Sequence, residues 1–206
     1  MSPPPANKGT NASEDRPVIR FCTTKNRMSA GVSWYDRAAD DGPLTVERLL
    51  VFAEAAGLQG RVDKANAAHL ASVLELHREV RFDLFHGNWP YLGDLLFLGK
   101  NYPNVFLDLC WLHIIDPLYA QEMLKSGVMT VPHSKIHAYG GDYSDAPHFS
   151  AAHLELARRN IAAALSDLIQ MGWMEEEQAL ILAADWLYNN PNRFFKLGLA
   201  EFIPSL

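Results

Sequence analysis

The second half of the chain contains three short apolar runs that predict β-strands. They cover residues 80–85, 104–110 and 135–139, and they begin 24 and 31 residues apart. Each interval can hold a helix and its loops, which parallel strands require, whereas a hairpin needs only a few residues. Most residues of these runs are apolar, as in strands that are covered on both faces. The pattern therefore predicts consecutive parallel βα units.

Helical periodicity fills these intervals and continues towards the carboxyl terminus. Apolar residues recur three and four positions apart in several segments: 91–100, 117–126, 151–171 and 175–188, with a last turn at 192–197. The first half carries a strand signal at 18–22 and helical signals at 45–56 and 63–77. Residues 1–16 combine three consecutive prolines with a polar run, which predicts a disordered leader. Residues 17–206 are then expected to form one α/β domain.

Composition and charge exclude several classes of partner. The 206 residues suit one domain, and 49% of them are hydrophobic, so a sizeable core can form. The formal net charge of −6 argues against a nucleic-acid partner, and the absence of a run of 18 apolar residues argues against a membrane span. The amino-terminal segment lacks the apolar stretch of a secretory signal. Cys22 and Cys110 lie in strand-like runs and are expected to be buried thiols, which favours a cytoplasmic protein.

Two titratable residues follow predicted strands, at the position where parallel βα sheets bind ligands. His86 follows Phe82 and Leu84 at alternate positions, so its side chain is expected on the same face of the strand as theirs. It is either a core histidine or a metal ligand and general base. Asp142 follows Gly140 and Gly141. It is either a turn residue or a carboxylate that holds a metal and accepts a proton from metal-bound water.

Further candidates lie close to the same strand ends. Trp89 follows His86, Trp111 follows the second run, and His148 lies after Asp142, so these three are predicted to contact substrate. Asp108 lies within an apolar run, and we expect it to pair with an arginine or lysine. The sequence contains no His-x-His, His-Glu-x-x-His or Cys-x-x-Cys motif, no Walker loop and no Gly-x-Ser-x-Gly elbow.

Three segments, in this order and spacing, resemble the carboxyl half of the amidohydrolase-related metal-dependent hydrolases. They are Phe85-His-Gly-Asn-Trp-Pro-Tyr91, Tyr102-Pro-Asn-Val-Phe-Leu-Asp-Leu-Cys110 and Pro132-His-Ser-Lys-Ile-His-Ala-Tyr-Gly-Gly-Asp-Tyr143. The resemblance covers roughly residues 64–198 and implies part of a (β/α)8 barrel with one or two divalent metals at its mouth. In this family a histidine ends the sixth strand and an aspartate ends the eighth. His86 and Asp142 match them, whereas Asp108 lies on the seventh strand and acquires no role.

The resemblance implies a fold and an activity. The expected fold is an α/β, incomplete TIM-type (β/α)8 barrel, because the His-x-His of the family's first strand and the histidine of its fifth strand have no counterpart here. The expected activity is hydrolysis of a C–N or C–O bond in a small-molecule substrate by metal-activated water, with His86 and Asp142 as catalytic residues and metal ligands. Zinc is the expected metal, with manganese or iron as alternatives.

Two other functions stay open at this point. Two protein ligands fall short of the three that are typical of catalytic zinc, so the chain is alternatively an inactive, truncated barrel that acts as a binding or remnant protein. A carboxy-lyase or isomerase on the same scaffold is the other alternative, because one barrel fold supports several chemistries. An incomplete barrel exposes sheet edges, which favours self-association into a homo-oligomer.

Overall fold

A computed structural model of the chain describes residues 18–21, 65–143 and 147–205. Three predictions fall outside these residues: the leader at 1–16, the helix at 45–56 and the burial of Cys22. The predicted strand at 18–22 is present as β1, Val18–Phe21. Cys110 is buried, as predicted.

The described strands form one parallel sheet in the order β1-β2-β3-β4. β2 is Arg81–Leu84, β3 is Val105–Asp108 and β4 is Ile136–His137. In the register, Leu84 lies beside Leu107, and Asp108 lies beside His137. Helices separate β2, β3 and β4 along the chain, so the predicted succession of parallel βα units is confirmed.

Helices follow the periodicity of the sequence closely. A 3-10 turn at Ala67–Leu70 leads into α1, and the other helices are α1 Ala71–Leu76, α2 Leu92–Asn101, α3 Leu112–Ile115, α4 Pro117–Thr130, α5 Pro147–Gln170, α6 Glu176–Ala184 and α7 Asn190–Phe195. A π-helical turn, Asp185–Asn189, joins α6 to α7 without a break. Over the residues described, no helix is both long and apolar enough to cross a membrane.

One face of the sheet carries the apolar core. Alternate strand residues project towards the helices, where they pack with buried leucines of α2, α4 and α5. These strand residues are Phe82, Leu84, Val105, Leu107 and Ile136, all of them buried. The intervening residues Asp83, Phe106, Asp108 and His137 project from the opposite face, where Phe194 of α7 covers them. The sheet is therefore covered on both faces at β3 and β4, with an apolar face towards the helices and a partly polar face towards α7.

The strands end earlier than the apolar runs predict. After Leu84 the chain enters a 3-10 turn, Phe85–Asn88, in which His86 and Gly87 have left-handed backbone dihedrals. The expectation that His86 continues the strand face of Phe82 and Leu84 is therefore wrong. Side chains alternate between the two faces of a sheet only while the backbone is extended, and the extended backbone ends at Leu84. The same holds for Asp142, which lies five residues beyond the end of β4 at His137 and has φ of +50°.

Candidate functional site

The carboxyl ends of β2, β3 and β4 meet at one edge of the sheet, because neighbouring parallel strands end on the same side. The segments that follow contact one another there. The rings of His86 and Trp111 lie 6.3 Å apart between centroids. The Trp111 indole N–H donates to the carbonyl of Gly141 over 3.0 Å. Trp111 thus connects the turn that carries His86 to the segment that carries Asp142, and we call this edge the mouth.

Left-handed backbone occurs at each of the three predicted residues of the mouth. His86 and Trp111 both have φ of +61°, and Asp142 has φ of +50°. This conformation is uncommon for residues other than glycine, and for a bulky residue such as Trp111 it is a true outlier. Each such residue costs about 1–3 kcal/mol and persists only where its surroundings enforce it, and such residues cluster at active sites. Asn88, in the same turn as His86, and Lys196, at the end of α7, share this conformation, so three of the five such non-glycine residues in the described part of the chain are positions that the sequence predicts.

His86 is buried and held by its Nδ1 atom, which lies 2.7 Å from the carbonyl oxygen of Cys110. A carbonyl oxygen only accepts, so Nδ1 carries the proton, and in the neutral ring the lone pair resides on Nε2. A backbone carbonyl fixes many metal-ligating and general-base histidines in this way. The hydroxyl of Tyr119 donates to the carbonyl of neighbouring Gly87 over 3.0 Å. Burial, followed by the charges of Asp116 and Asp94, raises the pKa of Tyr119, so it remains a donor.

Gly87 and Gly140 allow the segments at the mouth to pack closely against their neighbours. A Cβ atom on Gly140 would lie 2.7 Å from the Cβ of Cys110, so only glycine fits there, and the Trp111 amide donates to its carbonyl over 3.3 Å. Gly87 has φ of +56°, and an added Cβ would lie 2.4 Å from a side-chain carbon of Leu112. Gly140 therefore allows the segment after β4 to lie close to the segment after β3.

The other predicted site residues surround the mouth more loosely. Asp142 is exposed. Trp89 is half-buried, and its indole N–H points to a carboxylate oxygen of Asp116 at 3.4 Å. His148 is exposed in the first turn of α5 and packs on Phe149 with 4.4 Å between ring centroids. Their roles in substrate binding remain predictions.

A second group of polar side chains lies on the face of the sheet opposite the helices. Asp83, Asp108 and His137 come from β2, β3 and β4, and each offers a ligand atom such that these atoms lie within 4.8 Å of one another. His137 Nδ1 is 3.2 Å from Asp83 Oδ1 and 3.9 Å from Asp108 Oδ2. All three residues are at most 4% exposed. We call this group the strand triad; it contains neither His86 nor Asp142.

Aromatic rings enclose the strand triad. The imidazole of His137 lies 4.8 Å from Phe194, 5.7 Å from Phe195 and 5.9 Å from Phe106, measured between ring centroids. The Arg81 guanidinium lies 4.8 Å from the centre of the Phe194 ring. Burial lowers the pKa of Arg81, and the charge of Asp83 partly opposes this effect. Among the described residues, Asp83 Oδ2 and His137 Nε2 have no hydrogen-bond partner.

A hydrogen-bonded path joins the strand triad to the mouth. Asp108 Oδ1 accepts the amide proton of Cys110 over 2.7 Å, and the carbonyl of Cys110 accepts from His86. The arginine or lysine partner that the sequence predicts for Asp108 stays a prediction; the described contacts of its carboxylate include this backbone amide and His137. The sequence analysis does not identify Asp83 and His137 as members of a polar group. The available signal was a polar residue in each of three consecutive apolar runs.

A further buried histidine lies on the helix side of the sheet. His113 Nε2 is 2.7 Å from the carbonyl of Ala138, and its Nδ1 accepts from Asn160 of α5 over 3.3 Å. Burial lowers the pKa of His113 to about 4, an effect that the Ala138 hydrogen bond partly opposes and nearby His153 reinforces. His153 is also buried, and burial lowers its pKa as well. Neither of its ring nitrogens has a hydrogen-bond partner among the described residues.

Comparisons with known proteins support the fold. No family model matches the chain. Protein fluG of Emericella nidulans is 35% identical over 140 residues, which are 66% of this chain and 16% of that protein. The crystal structure of a Lactobacillus casei protein, provisionally described as a metal-dependent hydrolase, superposes with a TM-score of 0.55 at 18% identity. That match covers 66% of this chain and 36% of the other. The chain thus spans about a sixth of one relative and about a third of the other.

Proposed function

We propose that this chain is part of a metal-dependent hydrolase of the amidohydrolase-related type, whose reaction takes place at the mouth. The observation that carries the proposal is the left-handed backbone of His86, Trp111 and Asp142 at three neighbouring strand ends. Such backbone is costly in free energy, and residues that adopt it cluster at active sites. The fold shared with the Lactobacillus casei protein supports the proposal, and so does the resemblance of the three segments that carry these residues. On this proposal, β2, β3 and β4 are consecutive staves of a TIM-type barrel.

The side chains of the mouth suit acid–base chemistry. With its proton fixed on Nδ1, His86 presents the Nε2 lone pair of the neutral ring to a substrate proton or a metal. The exposed Asp142 carboxylate accepts the proton of an attacking water. Trp111, Trp89 and His148 then hold the small-molecule substrate, whose C–N or C–O bond is cleaved. Their apolar rings exclude water from one side of the bond.

Such a reaction draws on a divalent metal, which lowers the pKa of a bound water when present. The mouth offers two predicted ligands, His86 and Asp142, one fewer than the three that catalytic zinc sites typically have. In the part of the chain that the structure describes, the group of three potential ligands is the strand triad. The mouth by itself is therefore an incomplete metal site, and its residues are assigned here to substrate and proton handling.

Turnover assays test the proposal. The full chain, supplied with zinc, manganese or iron(II), is assayed against a panel of amides, lactones and esters. Replacing either Asp142 by Asn or His86 by Gln should lower kcat by roughly 10²–10⁴-fold, the contribution typical of a positioned acid or base. Glu155→Gln, an exposed change on α5 at an i,i+4 ion pair, is the matched control and should leave kcat unchanged.

Two results would contradict the proposal. One is the absence of turnover on every amide, lactone and ester with each metal bound, which would favour a binding or remnant protein. The other is an unchanged rate in D142N and H86Q. Release of carbon dioxide from carboxylic acid substrates, measured in parallel, would instead identify carboxy-lyase chemistry on the same scaffold.

A further inference from the structure

We infer that the strand triad of Asp83, Asp108 and His137 is a divalent metal site, on the face of the sheet opposite the helices. The inference goes beyond the proposed function, which places the reacting groups at His86 and Asp142. Three ligand atoms within 4.8 Å of one another, from three neighbouring strands, form a preassembled donor set. Strands hold such groups more precisely than loops do.

Hydrogen bonding within the strand triad leaves it incomplete. The Nδ1 atom of His137 carries at most one proton, which it donates to Asp83 Oδ1 at 3.2 Å. Its distance to Asp108 Oδ2 is 3.9 Å, which is too long for a hydrogen bond between these two atoms. Asp83 is completely buried, and its Oδ2 atom has no partner among the described residues. Buried polar atoms in native proteins nearly always have partners, so an unpartnered carboxylate oxygen points to an absent ligand. A bound cation satisfies it.

The distances and donor types suit a transition metal. Ligand atoms roughly 2.0–2.2 Å from a tetrahedral zinc stand roughly 3.3–3.6 Å apart. The separations of 3.2 and 3.9 Å from His137 Nδ1 to the two carboxylates bracket this range. One imidazole and two carboxylates form a donor set that zinc, iron(II) and manganese all accept. Three protein ligands also leave one position for water, as catalytic zinc sites do.

The surroundings of the strand triad are those of a supported metal site. Asp108 Oδ1 accepts from the Cys110 amide at 2.7 Å, which fixes the carboxylate beside His137. Hydrogen bonds of this kind to ligating groups strengthen metal sites. The rings of Phe106, Phe194 and Phe195 enclose the imidazole. Bulk water is thereby displaced, which strengthens electrostatic attraction to a cation.

Titration of the metal-stripped full chain with zinc alone tests the inference. We expect one zinc per chain in the wild type. Asp83→Asn and His137→Gln should weaken zinc binding more than about 100-fold, beyond the roughly 10–100-fold loss that a supporting residue causes. Asp142→Asn and His86→Gln are matched controls at the mouth and should retain wild-type affinity. Circular dichroism of each metal-free variant verifies that it is folded.

A measurement on the wild type covers the case in which a triad variant does not fold. Zinc should shift the imidazole ¹⁵N resonances of His137, while those of His113, which is hydrogen-bonded at both nitrogens, stay in place. An unmoved His137 signal at zinc saturation would overturn the inference.

The result separates the two proposals. Zinc binding that survives in D83N and H137Q but is lost in D142N and H86Q would overturn the inference and leave the hydrolase proposal standing. Zinc binding that follows the triad variants, without turnover on any substrate, would support the inference while the hydrolase proposal fails. A wild-type chain that binds no zinc, manganese or iron(II) refutes the metal site outright.

Discussion

Two buried histidines on opposite sides of the sheet have different surroundings. On the helix side, His113 is bonded at both ring nitrogens, to the Ala138 carbonyl and to Asn160. On the opposite side, His137 is bonded at Nδ1, and its Nε2 has no partner among the described residues. Both side chains are at most 1% exposed, so burial alone does not distinguish them.

The difference separates a structural polar group from one prepared for a ligand. Asn160 itself accepts from Gln121 of α4, so the His113 network is closed within the protein. A fully satisfied network of this kind makes a core rigid and specific. The strand triad, with an unpartnered carboxylate oxygen on Asp83, is open, and a cation completes it. The hydrogen bonding of the two histidines, rather than their burial, therefore distinguishes their surroundings.

Adjacent residues of β2 test this comparison with the largest expected effect. Phe82→Ala removes a fully buried ring from the helix side and should lower the free energy of unfolding by about 3–5 kcal/mol. Zinc affinity should stay unchanged in this variant. Asp83→Asn, on the opposite face, keeps the side-chain volume and should cost less than Phe82→Ala, while abolishing the stabilisation by zinc. Urea denaturation with and without zinc measures both, and a zinc effect lost in F82A would contradict the separation of faces.

Acid should weaken the helix side through His113. Its folded-state pKa of about 4 lies below the ordinary value of 6.5, so the unfolded chain binds a proton first as the pH falls. The contribution of neutral His113 to the free energy of unfolding is fully present above pH 6.5 and is lost as the pH falls from 6.5 to 4. A pKa difference of about 2.5 corresponds to a loss of about 3 kcal/mol.

Urea midpoints measured from pH 7.5 to 4 check this pH dependence. His113→Gln should flatten the profile without abolishing it, because burial also lowers the pKa of His153 and gives a contribution of the same sign. A profile of H113Q as steep as that of the wild type would show that His113 does not stay neutral in the folded state.

Gly140→Ala tests the close contact between Gly140 and Cys110, the residue whose backbone links the strand triad to His86. Gly140→Ala would place a Cβ atom 2.7 Å from Cys110 Cβ, and such overpacking should cost about 1–3 kcal/mol. The change should also disturb the Cys110 carbonyl that holds His86. Gly93→Ala on α2 is the matched control: its Cβ meets nothing within 4 Å, and alanine should stabilise the helix by about 0.5–1 kcal/mol. Thermal unfolding of both variants measures the difference, and equal effects would contradict the predicted close approach.

Much of the fold could be predicted from the sequence, because alternate residues of each strand from β2 to β4 are apolar and pack against the helices. β2 and β3 lie within the predicted runs, and α2 and α4 begin within one residue of their predicted starts. The strand ends could not be predicted in the same way. Their positions depend on left-handed residues such as His86, and only glycine announces such a conformation in a sequence.

The strand triad was beyond sequence reasoning for a different reason. Asp83 and His137 are 54 residues apart, and they meet only because of the register across β2, β3 and β4. Each of them is a polar residue within a mostly apolar run, and such a residue has several explanations when each strand is considered alone. His86, Trp111 and Asp142 could be predicted because they follow strands, and carboxyl ends of parallel strands meet whatever the register.

The smallest predicted effect concerns the mouth. Trp111→Phe keeps an aromatic ring beside His86 but removes the indole N–H that donates to the Gly141 carbonyl. Such a bond contributes about 0.5–1.5 kcal/mol, and the 37% exposure of Trp111 places the global loss at the low end. The local effect should be larger, since amides of Gly141 and Tyr143 should exchange with solvent faster. Trp173→Phe, an exposed change in the turn after α5, is the control and should leave their exchange unaltered. Unchanged exchange in W111F would mean that the indole does not hold the segment that carries Asp142.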